Sequence, residues 1–313
     1  MDTKASRREF IKATGMGVAA LGAASAGLSR VQAARDYQIS LAGWSLHRTI
    51  GKGEGKTPML DMPKLAREEW DIGGIELVNQ MLDPVKETFA NMKPYLDELS
   101  KNAAAHNVKI LLIMIDGEGN IGGEEQAQRD EAVTRHSKWI DAAEYLGCHS
   151  IRMNWAGAPK GVEKDAAGLK AFIDRSVPGF RKLADYGDAK NINVIIENHG
   201  GPSSYPGAVE QLMAAVNHPR FGTLPDFGNF PEDVDKYDGI DRLMKFAKAV
   251  SAKCYDFDDT TGDETVLDFP RLIENVVDKH GYHGFIGIEY EGDRLSEFEG
   301  IKRCKALLDR LKA

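Results

Sequence analysis

The residues best suited to chemistry in this chain stand at the ends of apolar runs. VIIENHGG (194–201) begins as buried-strand sequence and closes on Glu197, Asn198 and His199. LPDFGNF carries Asp226, SAKCYDFDD carries Lys253, Asp256 and Asp258, and GIEYEG carries Glu289 and Glu291. Earlier runs add Glu76, Arg152 and Asn154, and YQISLAGWSL adds Trp44. Charge set into apolar strand sequence costs several kcal/mol unless it is paired or bound to a cation. Carboxylates from neighbouring strands aimed at one axis repel each other, and a divalent cation relieves that repulsion. A shell rich in oxygen, with one nitrogen at most, suits Mn²⁺, Mg²⁺ or Co²⁺ at least as well as Zn²⁺. Taken singly, these residues have simpler explanations. Asp256 and Asp258 read as caps of a following turn, His199 as a hydrogen-bonded loop histidine, and Arg152 as the partner of a nearby acid. Recurrence over four successive runs favours a shared site.

Positioning such residues requires a regular frame. Eight apolar runs qualify as strands: 37–46, 73–79, 108–116, 148–157, 193–201, 221–229, 249–258 and 284–292. Amphipathic segments lie between them. AVTRHSKWIDAAEYLG spaces its apolar residues by three and four and stops at Gly147, a C-cap signal. LKAFIDRSVPGFRKLADYGDAK repeats the pattern, with Pro178 expected to disturb it. Eight strand-helix units in one chain predict a single-domain α/β fold, the (β/α)8 TIM barrel, whose active site forms at the C-terminal strand ends. A doubly wound sheet is the alternative, but no glycine-rich phosphate loop follows the first strand. GKGEGK (51–56) reads as a flexible loop.

The 313 residues carry a net charge of −8, and residues 1–34 hold five basic and two acidic side chains. Residues 35–313 therefore stand near −11 (−8 less +3). An acidic surface opposes nucleic acid and anionic membrane partners. Three dispersed cysteines predict neither a disulfide framework nor a cysteine zinc site. SRREFIK, with Arg7 and Arg8 ahead of a Gly/Ala-rich stretch, resembles a twin-arginine export signal. The expected division is a signal at 1–34 and a barrel at 35–313. The expected location is the periplasm or the extracellular space, with the twin-arginine machinery as a transient partner.

The strand-end acids Glu197, Asp226 and Glu289 resemble those of the sugar phosphate isomerase/epimerase family, the xylose isomerase-like TIM barrels. That superfamily also holds ketose 3-epimerases, inosose dehydratases and endonuclease IV. The resemblance implies a divalent metal (Mn, Mg, Co or Zn) held by Glu197, Asp226 and Glu289 from strands five, six and eight. On strand seven, Ser251 and Lys253 stand where the family commonly has histidines, and Asp256 keeps the acid. Three arrangements follow: a metal completed by His199 or water, Lys253 in place of the cation, or Lys253 as an acid/base beside a metal. The implied chemistry is proton transfer next to a sugar carbonyl through an enediolate, with Glu197 and Glu289 exchanging the proton. Glu197, Glu289, Lys253 and His199 are the candidate catalytic residues. Trp44, Glu76, Arg152, Asn154 and Asp256 are the candidates for binding the carbohydrate substrate. A 3-keto-glycoside lyase and an inosose dehydratase-like enzyme share this chemistry, and a non-catalytic sugar-binding barrel is the reading from a different class.

Overall fold

Every strand among the described residues pairs in parallel and lies inward of a helix, which is why the strands read as unbroken apolar runs. The computed structural model describes residues 34–51, 54–82 and 88–313. Arg7, Arg8 and the proposed export signal lie outside the described residues, apart from Ala34. The strands are β1 (Gln38–Ala42), β2 (Gly74–Val78), β3 (Lys109–Ile115), β4 (Ser150–Met153), β5 (Asn193–Glu197), β6 (Phe221–Leu224), β7 (Val250–Cys254) and β8 (Phe285–Tyr290). Each falls inside one of the eight expected runs. The sheet order is β6-β5-β4-β3-β2-β1-β8-β7. Parallel bridges Thr223↔Ala247 and Asp226↔Ser251 join β6 to β7. The first carries Lys248 N to Thr223 O at 2.9 Å, the second Ser251 N to Pro225 O at 3.0 Å and Phe227 N to Ser251 O at 3.1 Å, and together they close the sheet into the expected barrel.

The outer layer comprises α1 (Met62–Trp70), α2 (Phe89–Ala105), α3 (Gln126–Leu146), α4 (Ala166–Asp188), α5 (Pro206–Val216), α6 (Lys236–Leu243), α7 (Phe269–Ile273) and α8 (Glu297–Arg310). Asp165, Asp235, Asp268 and Ser296 accept backbone N–H bonds at the starts of α4, α6, α7 and α8. That use of short polar side chains satisfies donors a helix leaves open. Gly147 ends α3 at φ 73°, as its C-cap role requires. Pro178 does not interrupt α4, which runs through it for 23 residues. Phe172 and Ile173 before it and Phe180 and Leu183 after it are all buried, and that packing outweighs one lost backbone bond. No helix among the described residues is long and apolar enough to cross a membrane.

Strand parity assigns the side chains. Tyr290 lies against Gly300 of α8, where a Cβ would come within 2.4 Å of its ring, so the even residues of β8 face the helices. Glu289 and Gly287 then face the barrel axis, and Ser251 and Lys253 of β7 meet them there.

Candidate metal centre

Six carboxylates and two cations meet at the C-terminal end of the barrel. Glu197 ends β5, Asp226 follows β6, and Glu289 lies on β8; all three are buried. Each offers an oxygen within 4.8 Å of the other two. Ser251 Oγ donates to Asp226 Oδ2 at 2.8 Å and lies 3.3 Å from Glu289 Oε2, tying two of the acids together. Asp226 is further anchored through Oδ1, which accepts from Gly228 N and Asn229 N, each at 2.9 Å. Asn198, next to Glu197, grips the Asp226 backbone from both sides: it donates to the carbonyl at 2.9 Å and accepts from the amide at 2.7 Å. Strand five therefore supplies one acid and orients the next.

Lys253 and Arg152 are the cations. Lys253, 1% exposed, places Nζ 3.1 Å from Glu289 Oε1, 3.2 Å from Glu291 Oε1 and 4.0 Å from Asp226 Oδ2. It also donates to Asn229 Oδ1 at 3.0 Å, and Asn229 Nδ2 donates to Glu197 Oε1 at 2.9 Å. Arg152 Nη1 binds Asp116 Oδ1 at 2.8 Å, and Nε sits 2.6 Å from Glu197 Oε2. The last contact is an ion pair by distance, yet its N–H direction makes no hydrogen bond, so both atoms are buried without a hydrogen-bond partner. Burial works against the charge of Lys253, but Asp226 and Glu289 beside it more than offset that and keep the ammonium protonated.

Two cations do not balance six carboxylates. Burial, with its like-charged neighbours, pushes Asp226 up to about 8 and Glu197 up to about 7. Glu76 is pushed up to about 8, again by burial first, although Ser40 Oγ donates to its Oε1 at 2.7 Å. A divalent cation fits this set. The donors are all oxygen, three of them converge, and Glu197 Oε2, paired with Arg152 by charge alone, accepts no hydrogen bond among the described residues. Glu197, Asp226 and Glu289 are the residues that would hold it.

Above the acids opens a cavity of about 390 Å³, within the range typical of small-molecule sites (roughly 300–1,000 Å³). Trp44, Asp116, Arg152, Asn154, His199 and Glu289 line it. Trp44 stacks on His47 with ring centroids 5.2 Å apart. Asn154 Nδ2 donates to Asp116 Oδ1 at 2.6 Å, so the acid, amide and guanidinium form one bound unit on the cavity wall.

The structure thus brings together Glu197, Asp226, Glu289 and Lys253, and sets Trp44, Arg152, Asn154 and His199 around the opening above them. Two candidates fall outside that opening. Asp256 binds Arg294 at 2.7 Å and accepts from Phe257 N at 2.8 Å, a loop brace away from the cavity lining. Glu76 lies under the site against Gly287, where a Cβ would come within 2.4 Å of Oε1. Sequence reasoning passed over two residues. Asp116 closes the run VKILLIMID and carried the same strand-end signal as the others. Asn229, which couples Glu197 to Lys253, sits in a loop with no pattern that singles it out.

Comparison with known proteins then places the chain. Residues 65–313 match the xylose isomerase-like TIM barrel family, and the chain belongs to it. A comparison with curated proteins finds no match. Among solved structures, it is similar to 3-keto-D-glucoside 4-epimerase from E. coli, with 14% identity and a TM-score of 0.64 over 88% of this chain and 99% of that one. An L-ribulose 3-epimerase superposes with a TM-score of 0.68 at 14% identity, covering 88% and 94%. A xylose isomerase-like TIM barrel protein from Mycobacterium smegmatis in complex with magnesium gives 0.62 at 16% identity, covering 88% and 98%. At these identities the likeness is one of fold.

Proposed function

We propose that this xylose isomerase-like barrel is a carbohydrate isomerase or epimerase that moves a proton beside a carbonyl, with help from a divalent metal. The observation that carries the reading is the convergence of Glu197, Asp226 and Glu289 under a cavity of small-molecule size. The epimerases with the same fold support it, as does the magnesium complex of a third barrel. A bound cation would polarise the carbonyl and its neighbouring hydroxyl and stabilise the enediolate.

The chain's own residues do the rest. Glu289 lines the cavity and Glu197 offers an oxygen within 4.8 Å of it, so the two carboxylates can pass a proton from and to the carbon beside the carbonyl. The Asp116–Arg152–Asn154 unit and His199 present donors and acceptors to sugar hydroxyls, and Trp44 offers an aromatic face. Lys253 keeps Glu289 and Glu291 in place with a fixed positive charge. Where the adjacent carbon bears a leaving group, the same abstraction leads to elimination, the route of a lyase or dehydratase.

The twin-arginine segment at Arg7 and Arg8 supports action outside the cytoplasm, on free or oxidised sugars, glycosides or cyclitols. Replacing both arginines by lysine should leave the protein in the cytoplasmic fraction. The reaction itself is tested by incubating the protein with keto sugars in D2O and following deuterium uptake by NMR. Uptake that requires Glu289 and Mn²⁺ or Mg²⁺ supports the reading. No uptake with any keto sugar, in protein loaded with metal, sinks it. One contact favours a second reading: Lys253 beside Glu289 and Asp226 could stand in for the metal, giving a barrel that binds sugar without turnover.

A further inference from the structure

We propose that a second pocket, between the loops after β5 and β6, is a subsite for a ring attached to the sugar. The substrate is then a glycoside or a pair of linked sugars rather than a free monosaccharide. This rests on the reading that the main cavity takes a sugar.

The pocket measures about 450 Å³. Tyr205, Phe230 and Pro231 give it apolar faces, Gly200 and Gly201 give it bare peptide, and Glu163 supplies a carboxylate. Flat apolar faces with one acceptor suit a sugar or aryl ring, whose C–H or π face packs on aromatics while a hydroxyl finds an oxygen. Both rings are held by neighbouring groups. A Cβ at Gly239 would come within 2.5 Å of Phe230, so the backbone there backs that ring. Lys164 Nζ sits 6.0 Å from the centre of the Tyr205 ring, and the Tyr205 hydroxyl donates to Asp233 at 3.2 Å.

The two loops are also tied to each other, so the pocket is formed before anything binds. Gly200, at φ 86°, donates its N–H to Ser204 Oγ at 2.8 Å, and Ser204 Oγ donates to Asn229 O at 2.7 Å. His199 N donates to Ser203 Oγ at 2.9 Å. The pocket adjoins the chemistry through the same residues. His199 lines the main cavity and Gly200, its neighbour, lines the second pocket. Asn229 lines the second pocket while its side chain holds Glu197 and Lys253. On this proposal a group attached to a sugar in the main cavity is directed past His199 and Asn229 towards the Tyr205–Phe230 faces.

The test is binding of 4-nitrophenyl β-D-glucoside and of D-glucose to the intact protein, measured by ligand-observed NMR or calorimetry. The glycoside should bind about tenfold tighter than the free sugar, the scale of one aromatic stacking contact. Tyr205→Ala and Phe230→Ala should erase that preference without changing glucose affinity, and Tyr205→Phe, which keeps the ring, should retain it. Equal affinity for the two probes, or variants that weaken both alike, overturns the subsite. Failure of the parent reading looks different: no deuterium uptake by keto sugars, with the glycoside preference intact, removes proton transfer and leaves the subsite standing.

Discussion

Lys253 Nζ lies 3.1 Å from Glu289 Oε1, on neighbouring strands whose register pairs these two residues directly. The pair is buried, so its members cannot be separated cheaply. Removing one partner of a buried ion pair leaves an uncompensated charge, at a cost of about 3–5 kcal/mol. Lys253→Met should therefore lower the free energy of unfolding by that amount, seen as a lower urea midpoint with little change in slope. If a divalent metal can occupy the space beside it, Mn²⁺ should recover part of the loss in Lys253→Met. No recovery would mean that the lysine had been the only cation the site accepts.

Metal binding to the native protein alone should raise stability by mass action, by about 2.7 kcal/mol at a concentration one hundred times the dissociation constant. Thermal melts with and without Mn²⁺ or Mg²⁺ read this directly. Asp226→Asn, which withdraws one of three converging oxygens, should abolish the shift. An unchanged shift in that variant would place the ion elsewhere.

Glu289→Gln keeps the shape of the side chain and removes its ability to take a proton. The rate of deuterium uptake should fall by about 10²–10⁴-fold, the usual contribution of a general acid or base. Sugar binding should persist. A parallel loss of binding and rate would instead make Glu289 a binding residue.

The acids of the site also predict how stability changes with pH. Glu76 is pushed from 4.5 up to about 8 in the fold by burial. Its folded-state value exceeds its unfolded one, so the native state holds the proton more tightly over that interval. The contribution to stability is full below 4.5 and is lost as pH rises to about 8. Glu197 and Asp226 are raised as well and act with the same sign. Glu76→Gln should be more stable than the parent at alkaline pH by a few kcal/mol, with the difference shrinking towards zero below ~pH 4. Denaturant melts along a pH series check this, and a difference independent of pH would contradict it.

Gly287 offers a purely steric test. A Cβ there would meet the Glu76 carboxylate, with Oε1 at 2.4 Å, and Glu76 is itself buried and held by Ser40, so its side chain must shift to make room. Gly287→Ala should cost about 1–3 kcal/mol, the scale of overpacking. Combining it with Glu76→Ala should restore most of that loss, because the clash is between those two groups.

Much of this architecture was written into local patterning. Eight apolar runs separated by amphipathic segments specify strand-helix units, since a strand buried on both faces and a helix buried on one leave different periodicities. Right-handed crossovers between parallel strands then lead to a barrel, and the strand-end acids Glu197, Asp226 and Glu289 follow from where the runs stop. Pro178 was misleading because a local rule about one backbone bond competes with the burial of a whole helix face. Asp256 sat at the same kind of strand end as the others, yet it turned to Arg294 outside the barrel mouth.

What the sequence determined by itself was the number of strands, their parallel arrangement and the set of charged residues near one end. Periodicity and burial are properties of short windows, so they survive without knowledge of the fold. Only the tertiary structure decided which of those charges meet. The distance from Lys253 to Glu289, the pairing of Glu197 with Arg152 and the bridge of Asn229 from Glu197 to Lys253 depend on register and on barrel closure between β6 and β7. Those couple residues far apart in the chain, and a shift of one position would turn each side chain from the axis to the helices.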